Sequence, residues 1–264
     1  MVERFQKLDE QAGDEDLLNK FFDTLKIRYN FGYEVEPEMK AKIEKYFRYR
    51  WLTDRNQAID EPEELAYLDQ LPIDTQNMLY RDFLYQDFLH EFRYMFMFKK
   101  PDGEAYTWSD QPYRDFMLGL LQNFEPRLEE KGTIIYKELE EIQEVFFQEK
   151  GTIDIGYEIN RKARFVLRMH KGAIIGAYNC SENKKMAFVF KSTTDVHGFM
   201  LRKHIWLDLL ESVPELSSNL KSNIKVQYVK NIYIKVMLEK RKYLDKLHSK
   251  SLNNQVISVL DLKK

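Results

Sequence analysis

One cysteine, Cys180, stands in 264 residues. That excludes an internal disulfide and fits a reducing compartment. Glycine and proline are also scarce, at 10 and 7, so collagen-like and loosely linked low-complexity architectures are out. No apolar run approaches the ~20 residues needed to cross a bilayer. The stretch MVERFQKLDEQ lacks the apolar core of a signal peptide. The five histidines (His90, His170, His197, His204, His248) form no HxxxH, HExxH or HxH arrangement, so a metal site is not expected. Asp and Glu abound, but no pair stands apart from acidic loops. A nucleophilic Cys180 would need a positioned base, and none is signalled. An enzyme is therefore the weakest class. A net charge of −2 gives no reason to invoke nucleic acid.

Apolar side chains are plentiful. Hydrophobic residues make up 44% of the chain, with 18 Phe and 16 Tyr, a globular composition with length for one or two domains. Charge is uneven. Residues 1–40 carry 10 acidic against 6 basic side chains, and residues 201–264 carry 13 basic against 6 acidic. Solvated faces account for this more simply than attraction between subunits or to anionic lipid.

The periodicity divides the chain into three. From Asp16, Leu17, Leu18, Phe21, Phe22 and Leu25 recur at helical spacing, and Gly32 is placed to cap the end. The residues before Asp16 read as polar and frayed, or as the continuation of something upstream. Pro37 opens a second helix with Met39, Ile43, Tyr46, Phe47 and Arg50 on one face. An acidic loop over 53–64 comes next, with a short helix after Pro62. Leu71-Pro72 opens an aromatic helix through Phe92, apolar on several sides, which implies more than one packing partner. Pro101-Asp102-Gly103 marks a turn, and Tyr113–Leu121 a short helix. From Asn123 the period changes. Short β-rich runs at 124–127, 133–137, 144–148, 152–158, 164–169, 188–190 and 196–201 indicate a sandwich or barrel. Helical spacing returns over 204–213 and, after Pro214, over 215–247. The apolar tail Val256–Leu262 could dock on something. The expected division is a helical region over 1–111, a β-roll over about 123–201 with lid helices over 202–248, all within 112–248, and a tail over 249–264.

That order resembles the cytosolic C-terminal region of cyclic-nucleotide-gated, hyperpolarization-activated and ether-a-go-go channels, from about Leu17 to Leu247. The linker likeness is carried by PEMKAKIEKYFRYRW followed by LPIDTQNMLYRDFL. The roll likeness is carried by KGTIIYKELEEIQEVFFQEKGTIDI, with Gly132 and Gly151 at two turns, and by KGAIIGAY, with Gly172 and Gly176 in place. The resemblance implies an α+β fold: a helical C-linker, then a β jelly-roll barrel closed by C-terminal helices.

It also implies a site. In the family a Glu after the second glycine accepts the ribose 2′-hydroxyl, and an Arg in the following R-T/S-A pairs with the cyclic phosphate. Here Ala177 stands at the Glu position, Lys185 at the Arg position, Met186 at the hydroxyl position, and Ala187 keeps the alanine. The loop is about one residue short, so Lys184 and Lys185 are interchangeable in the match. Lysine meets a phosphate as a point charge without the bidentate fork of arginine. The implied residues are thus Gly176, Ala177, Lys185, Met186 and Ala187, with cAMP or cGMP bound weakly or not at all. The expected role is mechanical. The chain would be a gating and assembly region on the cytoplasmic side of a membrane, in a cation channel of potassium type. It would join into a four-fold ring through the linker helices and be attached by pore helices upstream. The apolar segment Val256–Leu260, or a lid side chain, would fill the emptied cleft. The alternative is a true cAMP or cGMP receptor using Lys185, and a soluble scaffold protein is a third class.

Overall fold

The computed structural model describes residues 2–28, 32–56 and 70–261, with side chains over 15–28, 32–56 and 70–247. The short helix expected after Pro62 lies outside the described residues. Two compact units divide at Thr53/Asp54.

The first unit holds two helices, α1 (Val2–Arg28) and α2 (Pro37–Thr53). α1 begins well before Asp16, so the polar lead is helical rather than frayed. Among its described side chains Leu18 and Phe22 are buried, while Leu17, Phe21 and Ile27 are exposed. Gly32, at φ 87°, donates its N–H to the Lys26 carbonyl at 2.9 Å, closing the α1 end as anticipated. α2 starts at Pro37 and buries none of its residues.

The second unit begins with α3 (Ile73–Met78), a π turn (Leu79–Leu84), α4 (Gln86–Glu91) and α5 (Gln111–Gln122). Eight strands come after these among the described residues: β1 (Glu125–Glu129), β2 (Ile134–Tyr136), β3 (Glu144–Lys150), β4 (Ile153–Ile159), β5 (Lys162–Met169), β6 (Ala173–Ile175), β7 (Val189–Ser192) and β8 (Val196–Arg202). They form two four-stranded sheets, ordered β1-β8-β3-β6 and β2-β7-β4-β5, and every pairing is antiparallel. A short helix, α6 (Ala177–Ser181), interrupts the chain between β6 and β7. α7 (Lys203–Ser212), α8 (Pro214–Tyr228), a second π turn (Val229–Tyr233) and α9 (Ile234–Asp261) complete the order. This is the expected α+β fold, helices followed by an antiparallel roll that C-terminal helices close. The backbone of α9 runs on through the segment expected as a separate tail. The side chains of Val256–Leu260 lie outside the described residues.

Local chemistry explains these elements. Asn160 and Arg161 both take positive φ (53° and 61°), the backbone of a tight hairpin joining β4 to β5. Gly132 and Gly151, the two anticipated turn glycines, sit at φ 89° and 90°. Strand alternation then sorts the faces. On the first sheet Phe147 and Phe199 turn outward to an aromatic layer from α4 and α5. Phe88 lies 5.4 Å from Phe147, and Phe124 stacks on Phe199 at 5.2 Å. Each such ring buried contributes about 1.5–3 kcal/mol. This layer places the helices over 73–122 in the same compact unit as the roll. The helices over 73–122 are half of one core with the roll.

Asp54-Arg55-Asn56 secures the entry to this unit. Asn56 is only 3% exposed. Its Nδ2 donates to the carbonyls of Leu121, Gln122 and Phe124, and its Oδ1 accepts from the Tyr85 hydroxyl at 3.0 Å. Those carbonyls sit at the C-terminal end of α5, where a helix leaves acceptors unfilled. The Arg55 guanidinium donates to the Leu84 carbonyl (2.8 Å), reaches Glu149 (3.4 Å), and lies 4.8 Å over the Phe199 ring.

Candidate functional site: the cleft between roll and lid

β6 runs into Gly176, whose backbone conformation directs the chain into the cleft wall. Gly176 has φ 84°, and a Cβ there would lie 2.4 Å from the Glu144 carbonyl oxygen. Only glycine satisfies both conditions. The left-handed turn starts α6 directly after it, and the Cys180 N–H returns to the Gly176 carbonyl at 2.8 Å. The sequence pattern predicts a polar link here, so α6 is a correction. Five residues bounded by a glycine and polar positions carry too short a period to be read as helix.

Beside this turn lies a cavity of about 260 Å³. Its apolar floor includes Ile174, Ile175 and Phe190, and the lid contributes Ile224, Tyr228 and Ile232. Gly176 and Ala177 line it. Lys185, Met186 and Ala187 do not. Lys185 and Ala187 are exposed. Lys185 offers its backbone carbonyl to Asn179 Nδ2 at 2.9 Å. Met186 is buried, its N–H donating to the Glu140 carbonyl and its carbonyl accepting from Leu139. Lys184 is turned onto α6, its Nζ 2.9 Å from the Tyr178 hydroxyl, a bond that raises the lysine pKa. The structure therefore brings together two of the five implied residues and leaves both loop lysines out of the cavity.

The cationic groups that do line the cavity come from elsewhere. Arg168 is held bidentately by Asp154 (2.7 and 3.0 Å), and Lys171 pairs with Glu91 at 3.2 Å. Lys235 reaches it from the lid. Arg127, on β1 within the roll and outside the cavity lining, is matched by Glu129 at 2.7 Å and by Glu144, whose Oε1 also accepts from the Tyr136 hydroxyl. None of these has a fixed two-pronged opening for a phosphate. Among the described residues no carboxylate lines the cavity, so a ribose 2′-hydroxyl would meet no charged acceptor from them.

Sequence reasoning missed Tyr178 and Asn179 as cleft residues, because α6 was not legible. Tyr228 lines the cleft from α8. Its ring lies flat on Tyr178, 4.4 Å away and 8° from parallel. Cys180, on the buried side of α6, has its thiol pushed up to about 12 by burial. Its Sγ donates to the Glu144 carbonyl. That is an inert thiol, not a nucleophile. Among the described residues no group of three or more His, Cys, Asp or Glu side chains could hold a metal ion, and no helix is long and apolar enough to cross a membrane.

An antiparallel roll with a short helix between β6 and β7, closed by C-terminal helices, is the fold that the resemblance to cyclic nucleotide-binding domains implies. Three solved structures similar to the chain are as follows. One is a protein of Geobacter metallireducens described as a cyclic nucleotide-binding protein (16% identity, TM-score 0.39, 47% of this chain and 86% of that one). Another is the regulatory domain of Toxoplasma gondii PKA with cAMP (11% identity, TM-score 0.38, 47% and 43%). A third is the catabolite activator protein of Thermus thermophilus (17% identity, TM-score 0.38, 51% and 59%). The chain thus spans under two thirds of the latter two proteins. No protein-family profile matches it, and no curated protein does. The fold assignment itself rests on the strand order and helix placement described above.

Proposed function

We propose that this chain is a gating and assembly region of a cation channel of potassium type, on the cytoplasmic side of a membrane. Its nucleotide-type cleft has lost its ligand chemistry. The observation that carries the reading is the placement of Lys185 outside the cavity while Ala177 lines it. The groups that the family resemblance assigns to phosphate and ribose are respectively turned away and replaced by a methyl. The succession of linker helices, roll and lid supports the channel context, as does the motif likeness of PEMKAKIEKYFRYRW and LPIDTQNMLYRDFL. Exposed apolar side chains in and just after α3 and α4 support ring assembly. Ile73 is 67% exposed, Phe83 77% and Met97 66%, more than scattered surface apolars need. Pore helices upstream would attach the ring to the membrane.

One observation favours a second reading, a true cAMP or cGMP receptor. The cavity beside Gly176 and Ala177 remains open, and Lys185 is two residues from a left-handed Asn183 (φ 48°), where the loop can turn. Calorimetric titration with cAMP and with cGMP separates the two. The gating and assembly reading expects no saturation at micromolar nucleotide. The receptor reading expects saturation that Lys185→Ala removes.

A further inference from the structure

The lid changes pitch at its middle. The Ile234 N–H donates to the Val229 carbonyl, five residues back rather than four. Such a turn holds one residue more than the α turn it replaces, and recurs at functional sites. The extra residue decides which side chains share a face. In an α-helix, residues five apart point about 140° away from each other. Across this turn Tyr228 and Tyr233 come to lie with ring centroids 6.3 Å apart.

Both rings are engaged. Tyr228 stacks on Tyr178 of α6 at 4.4 Å, and Tyr233 meets Phe188, just before β7, at 5.9 Å. Lys184 adds its ammonium 5.2 Å from the Tyr178 ring centroid. Four rings therefore form a ladder. It ties both ends of the segment between β6 and β7 to one turn of the lid, beside the cavity.

We propose that the ladder is a latch with two registers. In the π register, seen here, the rings are engaged, and Ile232 and Val236 are buried. In the α register the helix beyond Val229 moves on by one residue, turning about 100° and sliding about 1.5 Å. Tyr233 then leaves Phe188, Ile232 and Val236 leave their sites, and the lid is released from the roll. The helix regains its i→i−4 bonds in exchange for that burial, so the two registers oppose comparable terms, as a bistable element requires. The latch rests on roll and lid alone. Its failure would leave the channel and nucleotide readings where they stand.

Hydrogen exchange on the full chain tests it, with two variants. Removing Lys230, an exposed residue, returns the turn to α while leaving α9 in its present register on the roll. Amides over 229–240 are expected to exchange at least about tenfold faster than those of β3 and β8, as in a segment with its own opening. The variant lacking Lys230 is expected to slow them about tenfold. Tyr178→Ala is expected to quicken them with β3 unchanged. Exchange over 229–240 as slow as in β3, or no change on removing Lys230, overturns the proposal. If the variant lacking Lys230 loses β3 protection as well, Tyr178→Ala decides alone, and unchanged exchange over 229–240 overturns it.

Discussion

Ala177 and Lys185 set the character of the cleft at the scale of single residues, one by what it lacks and the other by where it points. Both identities were legible in the sequence, but their positions were not. Whether a loop lysine enters a pocket depends on the backbone around it. Here Asn179 holds the Lys185 carbonyl, and Tyr178 holds the Lys184 ammonium. Two other residues carry predictions. Cys180, with its thiol pushed up to about 12, is expected to hold on the order of a thousandfold less thiolate than a free cysteine at pH 8, and its alkylation in the folded chain should be correspondingly slow. Burial also raises the phenols of Tyr85, Tyr136 and Tyr228. These groups favour their neutral forms when folded. Their contribution is therefore full below the ordinary cysteine value of 9.0 and is lost as pH climbs toward the raised values. Thermal melts should show a flat Tm to about pH 9 and a steady fall above it. Asn56→Ala leaves three carbonyls and a buried hydroxyl without their partner. It should cost about 2–4 kcal/mol in denaturant unfolding, and a loss under about 1 kcal/mol would show that water replaces the amide.

Among the elements, the strands and long helices were readable because each has enough residues to show a period. The runs at 144–148, 152–158 and 196–201 became β3, β4 and β8 with ends shifted by a residue or two. Gly172 and Gly176 announced the turns flanking β6, although the strand itself is only three residues long. α6 and both π turns were not readable. A five-residue helix shows barely one turn of pattern, and a π turn has the composition of the helix around it. Each π turn is stabilised by tertiary packing. The first closes with the Tyr85 N–H on the Tyr80 carbonyl at 3.0 Å, which sets the Tyr85 ring 5.6 Å from Phe199. The turn into α6 depends on one glycine. Gly176→Ala puts a methyl against the Glu144 carbonyl oxygen in a left-handed backbone. It should cost at least about 2 kcal/mol and detach α6 from Tyr228, read as faster exchange over 177–181 with the outer aromatic layer intact. A Gly176→Ala chain as stable as the parent would contradict this account of the turn.

For the whole molecule, the order of helices, roll and lid could be read from the sequence, whereas the core that the 73–122 helices share with the roll could not. Aromatic richness over 80–98 was compatible with packing inside the chain or between chains. The structure assigns Phe88, Phe92 and Phe96 to the core shared with β3 and leaves Ile73, Phe83 and Met97 exposed. If those exposed residues join copies of this chain, light scattering should give a mass above the 31.9 kDa monomer that rises with concentration. The paired change Ile73→Glu and Phe83→Glu should return it to monomer, since charges in an apolar contact oppose association. A monomer at every concentration would count against assembly through this face. The central claim, a cyclic nucleotide-binding fold whose cleft no longer takes the nucleotide, is tested most directly by calorimetric titration of the full chain with cAMP and cGMP. The account predicts no saturable heat at micromolar ligand, and none gained or lost with Lys185→Ala. Saturable micromolar binding abolished by Lys185→Ala would contradict it.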